Sequence, residues 1–239
     1  MMTQVTSADT GAEPVASTRH FFVFLGIAVV VTLAGFAARL RPVAGSGLVE
    51  TREQVIPIYL SLTLMNWLLV FFVWRGIRRR GHTFRSLIQG RWVSIRDVLR
   101  DVGIAAAFWG VLLGAAWGLD RFLSQSQARS LELLLPRSTV EVGVWILTSI
   151  SAGFCEEFVF RGYVQRQLLS WSGSTPISVL GQSLLFGLMH AYQGWMLAIR
   201  IVVIGVLFGV LAAWRKTLRV GMVAHAWQDI WAGWLSNVI

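Results

Sequence analysis

The stretch GFCEEFVFRGYVQRQL, residues 153–168, closes an apolar run that begins near Val140. Glu156 and Glu157 are adjacent carboxylates, and Arg161 follows one helical turn later. An ionisable side chain at the centre of a membrane helix costs at least about 2.5–3.5 kcal/mol, so it faces a partner or a watery cavity. Glu157 and Arg161 are four residues apart and meet on one helix face, where the guanidinium can compensate and orient a carboxylate. Glu156 and Glu157 point about 100° apart on a helix, which gives them separate jobs. One faces water or a metal ion; the other faces Arg161 or a neighbouring helix.

The rest of the chain decides that this run lies in a membrane. Of 239 residues, 55% are hydrophobic and 14% charged, and the mean hydropathy is +0.63. A soluble domain carries about 25% charged residues, so the balance points to a membrane protein. The net charge of +9 comes almost entirely from arginine. These arginines collect between apolar runs, as in cytoplasmic loops, rather than on the accessible basic face that nucleic-acid binding needs. Nucleic acid is therefore not expected as a partner. The single cysteine, Cys155, can form no internal disulfide and reads as a small buried hydrophobe rather than a catalytic thiol.

Residues 1–19 are polar and aperiodic and read as a disordered cytoplasmic tail. Residues 20–239 form one integral membrane domain with seven apolar segments, at 21–38, 55–74, 98–118, 140–169, 176–193, 196–214 and 219–236. Each approaches the roughly 20 residues needed to cross hydrocarbon. The expected fold is an all-α polytopic bundle of about seven spans. Between the second and third lies WRGIRRRGHTFRSLIQGRWVSIR (74–96), with seven arginines and no acidic residue. That loop is expected inside, together with the N-terminus and the WRKTLR turn at 214–219, in a bacterial cytoplasmic membrane. Small residues at four-residue spacing (Gly110, Gly114 and Gly118; Gly205 and Gly209) predict close helix packing. Trp74, Trp92, Trp117, Trp171, Trp195, Trp214 and Trp234 sit near span ends as interfacial anchors.

Seven ionisable residues inside the spans need explaining: Glu156, Glu157, Arg161, His190, Arg200, His225 and Asp229. His225 and Asp229 stack at a four-residue offset, and Phe186 lies beneath His190 in the same way. The turn near SGST (172–175) is about equidistant from the glutamates and from His190, so an antiparallel hairpin brings them to one depth. His225 fits less well: straight helices place it roughly 10–15 Å from that level. Tilt, or a break around AYQGW (191–195), would close the gap. Arg200 pairs with a carboxylate or snorkels, Asn66 is a candidate interhelical hydrogen-bond donor, and Gln193 and Gln228 are candidates to line a cavity.

Such a cluster can activate water in two ways. A metal held by His and carboxylate ligands would polarise a carbonyl and acidify its water. Alternatively, a glutamate–histidine pair acts directly as general base while other polar groups hold the oxyanion.

On these residues the chain resembles the CAAX protease and bacteriocin-processing (CPBP, or Abi) family of intramembrane endopeptidases. Its EExxxR motif is matched by Glu156, Glu157 and Arg161, its FxxxH motif by Phe186 and His190, and its HxxxN motif, with aspartate also accepted, by His225 and Asp229. The resemblance spans about residues 140–236. It implies a membrane-embedded peptidase similar to type II CAAX prenyl endopeptidases, acting on a peptide or lipidated protein beside membrane lipid. By that analogy Glu156 and His190 activate the water, and His225 with Asp229 contact the oxyanion or a metal. Asp229 stands where many members have asparagine. An ionised aspartate cannot donate to an oxyanion but can ligate a metal or orient a metal-bound histidine. This favours a divalent metal, zinc, with Glu156, His190, His225 and Asp229 as ligands. Two other readings are a catalytically silent scaffold or bacteriocin self-immunity protein, and a proton-coupled transporter, which the lack of visible inverted repeats disfavours.

Overall fold

Ser138 starts the helix that carries the glutamates: its side chain accepts from the Glu141 N–H, and Glu141 reaches back to the Ser138 N–H, a reciprocal cap. The structure, a computed structural model, describes residues 13–40, 54–121 and 134–235. Its elements are α1 (Thr18–Leu40), α2 (Val55–Arg78), a short α3 (Phe84–Ile88), α4 (Ile95–Asp120) and α5 (Thr139–Glu156). The helix then widens into a π segment (Glu157–Val164) and returns to α form in α6 (Gln165–Ser172). After Gly173, left-handed at φ +63°, come α7 (Thr175–Met189), a 3₁₀ turn (Ala191–Gln193), α8 (Trp195–Arg215) and α9 (Arg219–Leu235). No strand occurs among the described residues.

All seven expected segments are helical, and five helical stretches are long and apolar enough to cross a membrane. Thr139–Ser172 is the longest of these, at 34 residues. The expected 176–193 span is shorter: α7 has 15 residues and stops at Met189. Exposed faces are apolar, with Leu60, Leu64, Leu68 and Phe71 on α2 and Leu180, Leu184 and Leu188 on α7. Buried positions include Glu157, Arg161, Gln165, Gln167, Gln182 and His225. This inside-out distribution suits a protein solvated by hydrocarbon, where polar groups must find partners within the bundle. The protein is an integral membrane protein.

Two expectations change and a third holds in part. Residues 1–12 lie outside the described residues, but the end of the expected tail is packed: Val15 and Ala16 are buried, and the Ala16 N–H donates to Gln167 Oε1 at 2.9 Å. Helix α1 already begins at Thr18, and His20 Nδ1 lies 2.8 Å from the Tyr163 hydroxyl, tying it to the π segment. Second, a Cβ on Gly110, Gly114 or Gly118 would meet nothing within 4 Å, so this small-residue face contacts no neighbour among the described residues. Gly205 and Gly209 do pack as expected, against Ser183 and Gln182 of α7. Third, Trp92, Trp117, Trp171, Trp195 and Trp214 are exposed as anchors should be, whereas the side chain of Trp234 lies outside the described set.

The contact that matters most for the site is between α5 and α9. A Cβ on Gly153 would lie 2.7 Å from the Ala226 nitrogen and 2.9 Å from the Met222 oxygen, so the two backbones touch there. Trp145 Nε1 donates to the Asp229 carbonyl at 2.8 Å and fixes the register of the pair. At the basic end, Thr217 donates to the Ile88 and Gln89 carbonyls and the Leu218 N–H donates to Ile88. The two arginine-rich loops therefore share one end of the bundle.

Candidate active site

Glu156 is the last residue of α5 and Glu157 the first of the π segment. π-helical turns inside α-helices occur mostly at functional sites, because the i→i+5 pattern is held by surrounding contacts. The two carboxylates diverge as expected. Glu157 is fully buried, and its Oε1 sits 3.0 Å from Arg161 Nη1 and 3.0 Å from His225 Nδ1. Arg161 is buried too, lies over the Phe186 and Phe208 rings at 4.8 and 5.2 Å, and donates to the Gly205 carbonyl. The guanidinium is thus clamped by three elements, and Glu157 is held by the guanidinium.

Glu156 has a different environment. Its side chain retains 16% exposure, its Oε1 accepts from Asn66 Nδ2 at 3.3 Å, and its Oε2 faces His225 Nε2 at 3.7 Å. Asp229 Oδ2 approaches the same Nε2 at 3.7 Å. His225 is the hub: both ring nitrogens face carboxylate oxygens, and Phe208 packs on its ring at 5.2 Å. Glu157 and Arg161 set the imidazole's position, since a carboxylate at Nδ1 fixes which nitrogen is turned to the open side.

His190 stands apart from this hub. Its Nδ1 lies 2.8 Å from the Phe186 carbonyl, which only accepts, so Nδ1 carries a proton and Nε2 is left without a hydrogen-bond partner among the described residues. Among the described residues it makes no hydrogen bond or ion pair to a carboxylate. Phe186 connects the two parts, with its ring 4.7 Å from the His190 ring and beneath the Arg161 guanidinium. The chain does break after His190, in the 3₁₀ turn and at Gly194 with φ +120°. His225, which straight helices place off level, is the histidine that pairs with the glutamates; among the described residues His190 makes no hydrogen bond or ion pair with them.

The remaining polar residues find partners, and Asn66, Arg200 and Cys155 do so in the way expected of them. Asn66 bonds to Glu156 itself. Arg200 pairs with Asp120 at the end of α4. Gln193 donates to the Tyr192 hydroxyl at 3.0 Å, and Cys155 is buried with only Ser151 within reach of its sulfur. Asn66 was detectable as a lone amide in an apolar span; its partner was not. Among the described residues no group of three or more His, Cys, Asp and Glu side chains is disposed to hold a metal ion. Glu156, His190, His225 and Asp229, the four expected ligands, are not gathered into such a group.

Helices long enough to span a membrane, enclosing a buried Glu–Arg–His cluster beside a partly exposed glutamate, define an integral membrane protein with an ionisable cluster inside its bundle. Residues 138–231 match the Rce1-like family, described as type II CAAX prenyl endopeptidase Rce1-like. The matched residues contain all three motifs, Glu156-Glu157-Arg161, Phe186-His190 and His225-Asp229, so the similarity to that family lies where the site is. No curated protein and no solved structure matches the chain.

Proposed function

We propose that the protein is an intramembrane endopeptidase that hydrolyses a peptide bond of a membrane-associated or lipidated substrate, with Glu156 as the group that activates water. The observation that carries this reading is the unequal pair of adjacent carboxylates. Glu157 is consumed by Arg161 and His225, whereas Glu156 keeps an open edge and an oxygen turned to His225 Nε2.

Glu156 takes a proton from water as the water oxygen bonds to the scissile carbonyl carbon. His225, as the imidazolium, donates from Nε2 to the developing oxyanion, and Glu157 at Nδ1 stabilises that charge. Glu156 then returns its proton to the leaving nitrogen as the C–N bond breaks, giving a carboxylate and an amine. The unpartnered Nε2 of His190 accepts from the water or the leaving amine on the opposite side. Asp229 holds His225 from its own helix. Every step uses the chain's own groups.

The test is hydrolysis of a peptide with a fluorophore and quencher flanking the scissile bond, with and without a prenyl group on its cysteine. Glu156→Gln is expected to lower kcat by about 10²–10⁴-fold, the contribution of a general base, while the protein stays folded and membrane-inserted. His190→Ala is expected to lower kcat as well. Wild-type turnover in a well-folded Glu156→Gln protein refutes the assignment and leaves the scaffold reading.

A further inference from the structure

At the basic end of the bundle, a recess of about 410 Å³ is lined by Phe84, Arg85, Ile88, Arg91, Trp92 and Arg219. The lining holds three guanidinium groups and no carboxylate. Arg219 is fixed, because its Nη2 donates to the Gly90 carbonyl at 2.8 Å and its guanidinium lies 5.1 Å from the centre of the Trp92 ring. Arg85 and Arg91 are exposed, and among the described residues neither side chain makes a hydrogen bond or an ion pair.

The walls are built rather than loose. A reciprocal cap between Thr83 and Ser86 starts α3, and the Arg166 side chain donates to the Ser86 and Leu87 carbonyls. Thr217 and Leu218 hold the end of α3 from the α8–α9 turn. The return through Gln89 and Gly90 uses positive φ at both residues, +57° and +69°, which turns the chain so that Arg91 and Trp92 join the recess. Three like charges held around one hollow repel each other until an anion joins them.

The surroundings select the anion. Trp92 is exposed at the rim, and just beyond it Val93 and the first turns of the membrane-spanning α4, at Ile95 and Leu99, expose apolar side chains. Guanidinium forks match phosphate geometry, and a ligand with a phosphate head and hydrocarbon tails satisfies both the arginines and this apolar edge. We propose that the recess binds the phosphate of an anionic phospholipid, one per chain, with its acyl chains along the start of α4. This site is independent of the peptidase reading.

Purified protein, delipidated in detergent, is incubated with phosphatidylglycerol or phosphatidylcholine, and bound lipid is counted by native mass spectrometry. Wild type is expected to take up one phosphatidylglycerol per chain at concentrations where phosphatidylcholine does not bind. Arg85→Gln/Arg91→Gln, which alters two exposed side chains, is expected to weaken that binding by about tenfold or more. Arg75→Gln/Arg78→Gln removes the same charge from the end of α2 and is expected to bind as wild type does. Inorganic phosphate at millimolar concentration is expected to leave the lipid in place. Equal binding by the recess variant, equal weakening in both double variants, equal uptake of phosphatidylcholine, or displacement by inorganic phosphate would each overturn the proposal.

Discussion

Gly153→Ala tests whether the closeness of α5 and α9 is what assembles the site. The added methyl group would lie 2.7 Å from the Ala226 nitrogen and 2.9 Å from the Met222 oxygen, both backbone atoms that cannot rotate away. Ordinary contact begins at about 3.4 Å, so the helices must separate by roughly 0.7 Å. His225 and Ala226 are neighbours on α9, so the shift is felt at the 3.0 Å contact from His225 Nδ1 to Glu157. Displacements near 1 Å in a catalytic constellation cost about 10²-fold in rate, and overpacking costs about 1–3 kcal/mol in stability. The expected result is a folded protein with kcat about 30–100-fold lower and a somewhat lower melting temperature. Gly110→Ala is the control, since its methyl group would meet nothing within 4 Å, and wild-type activity is expected. Peptide hydrolysis in detergent micelles, with thermal unfolding on the same samples, reads both. If Gly153→Ala keeps kcat within twofold while folded, the argument that this contact sets the catalytic geometry is refuted.

Arg161→Met strands the fully buried Glu157, and breaking a buried pair costs about 3–5 kcal/mol, so the variant is expected to accumulate poorly or melt far below wild type in a thermal-shift assay. Asn66→Leu removes a 3.3 Å bond to Glu156; kcat is expected to fall about three- to tenfold with little change in melting temperature, because single interhelical bonds in membranes are worth about 0.6 kcal/mol. The divalent ion expected from the sequence is tested by metal analysis of purified wild type beside His190→Ala and His225→Ala. A structural ion predicts stoichiometric metal that both variants lose, together with activity abolished by chelation and restored by zinc.

How much of this was legible in advance depended on distance along the chain. Glu157–Arg161, Phe186–His190 and His225–Asp229 are four residues apart, and a helix turns that spacing into contact whatever surrounds it. Pairings between helices were not legible in the same way. The straight-helix estimate did not show that His225 is the histidine paired with the glutamates, because the chain leaves α-helical geometry at Glu157 and again after Met189. Arg200 and Asp120 are 80 residues apart and are joined only by the packing of α4 on α8. The small-residue faces show the same limit. Spacing states that a face is small, not that a neighbour lies against it, which is why Gly205 packs and Gly110 does not.

The division of labour between the adjacent glutamates follows from one consequence of burial. A carboxylate at zero exposure cannot give up its compensating cation without stranding a charge, so Glu157 is committed to Arg161 and transmits that commitment to His225. A committed carboxylate at zero exposure is a poor base for an arriving water, because its Oε1 is shared by Arg161 and His225 and the group is closed off from solvent. Glu156 holds a weaker, 3.3 Å bond from a neutral amide and keeps contact with the outside, so it can change protonation without dismantling the bundle. On the proposed mechanism, two chemically identical side chains, one peptide unit apart, are thereby assigned to structure and to chemistry by the helices that face them. Exchanging those environments would exchange the roles.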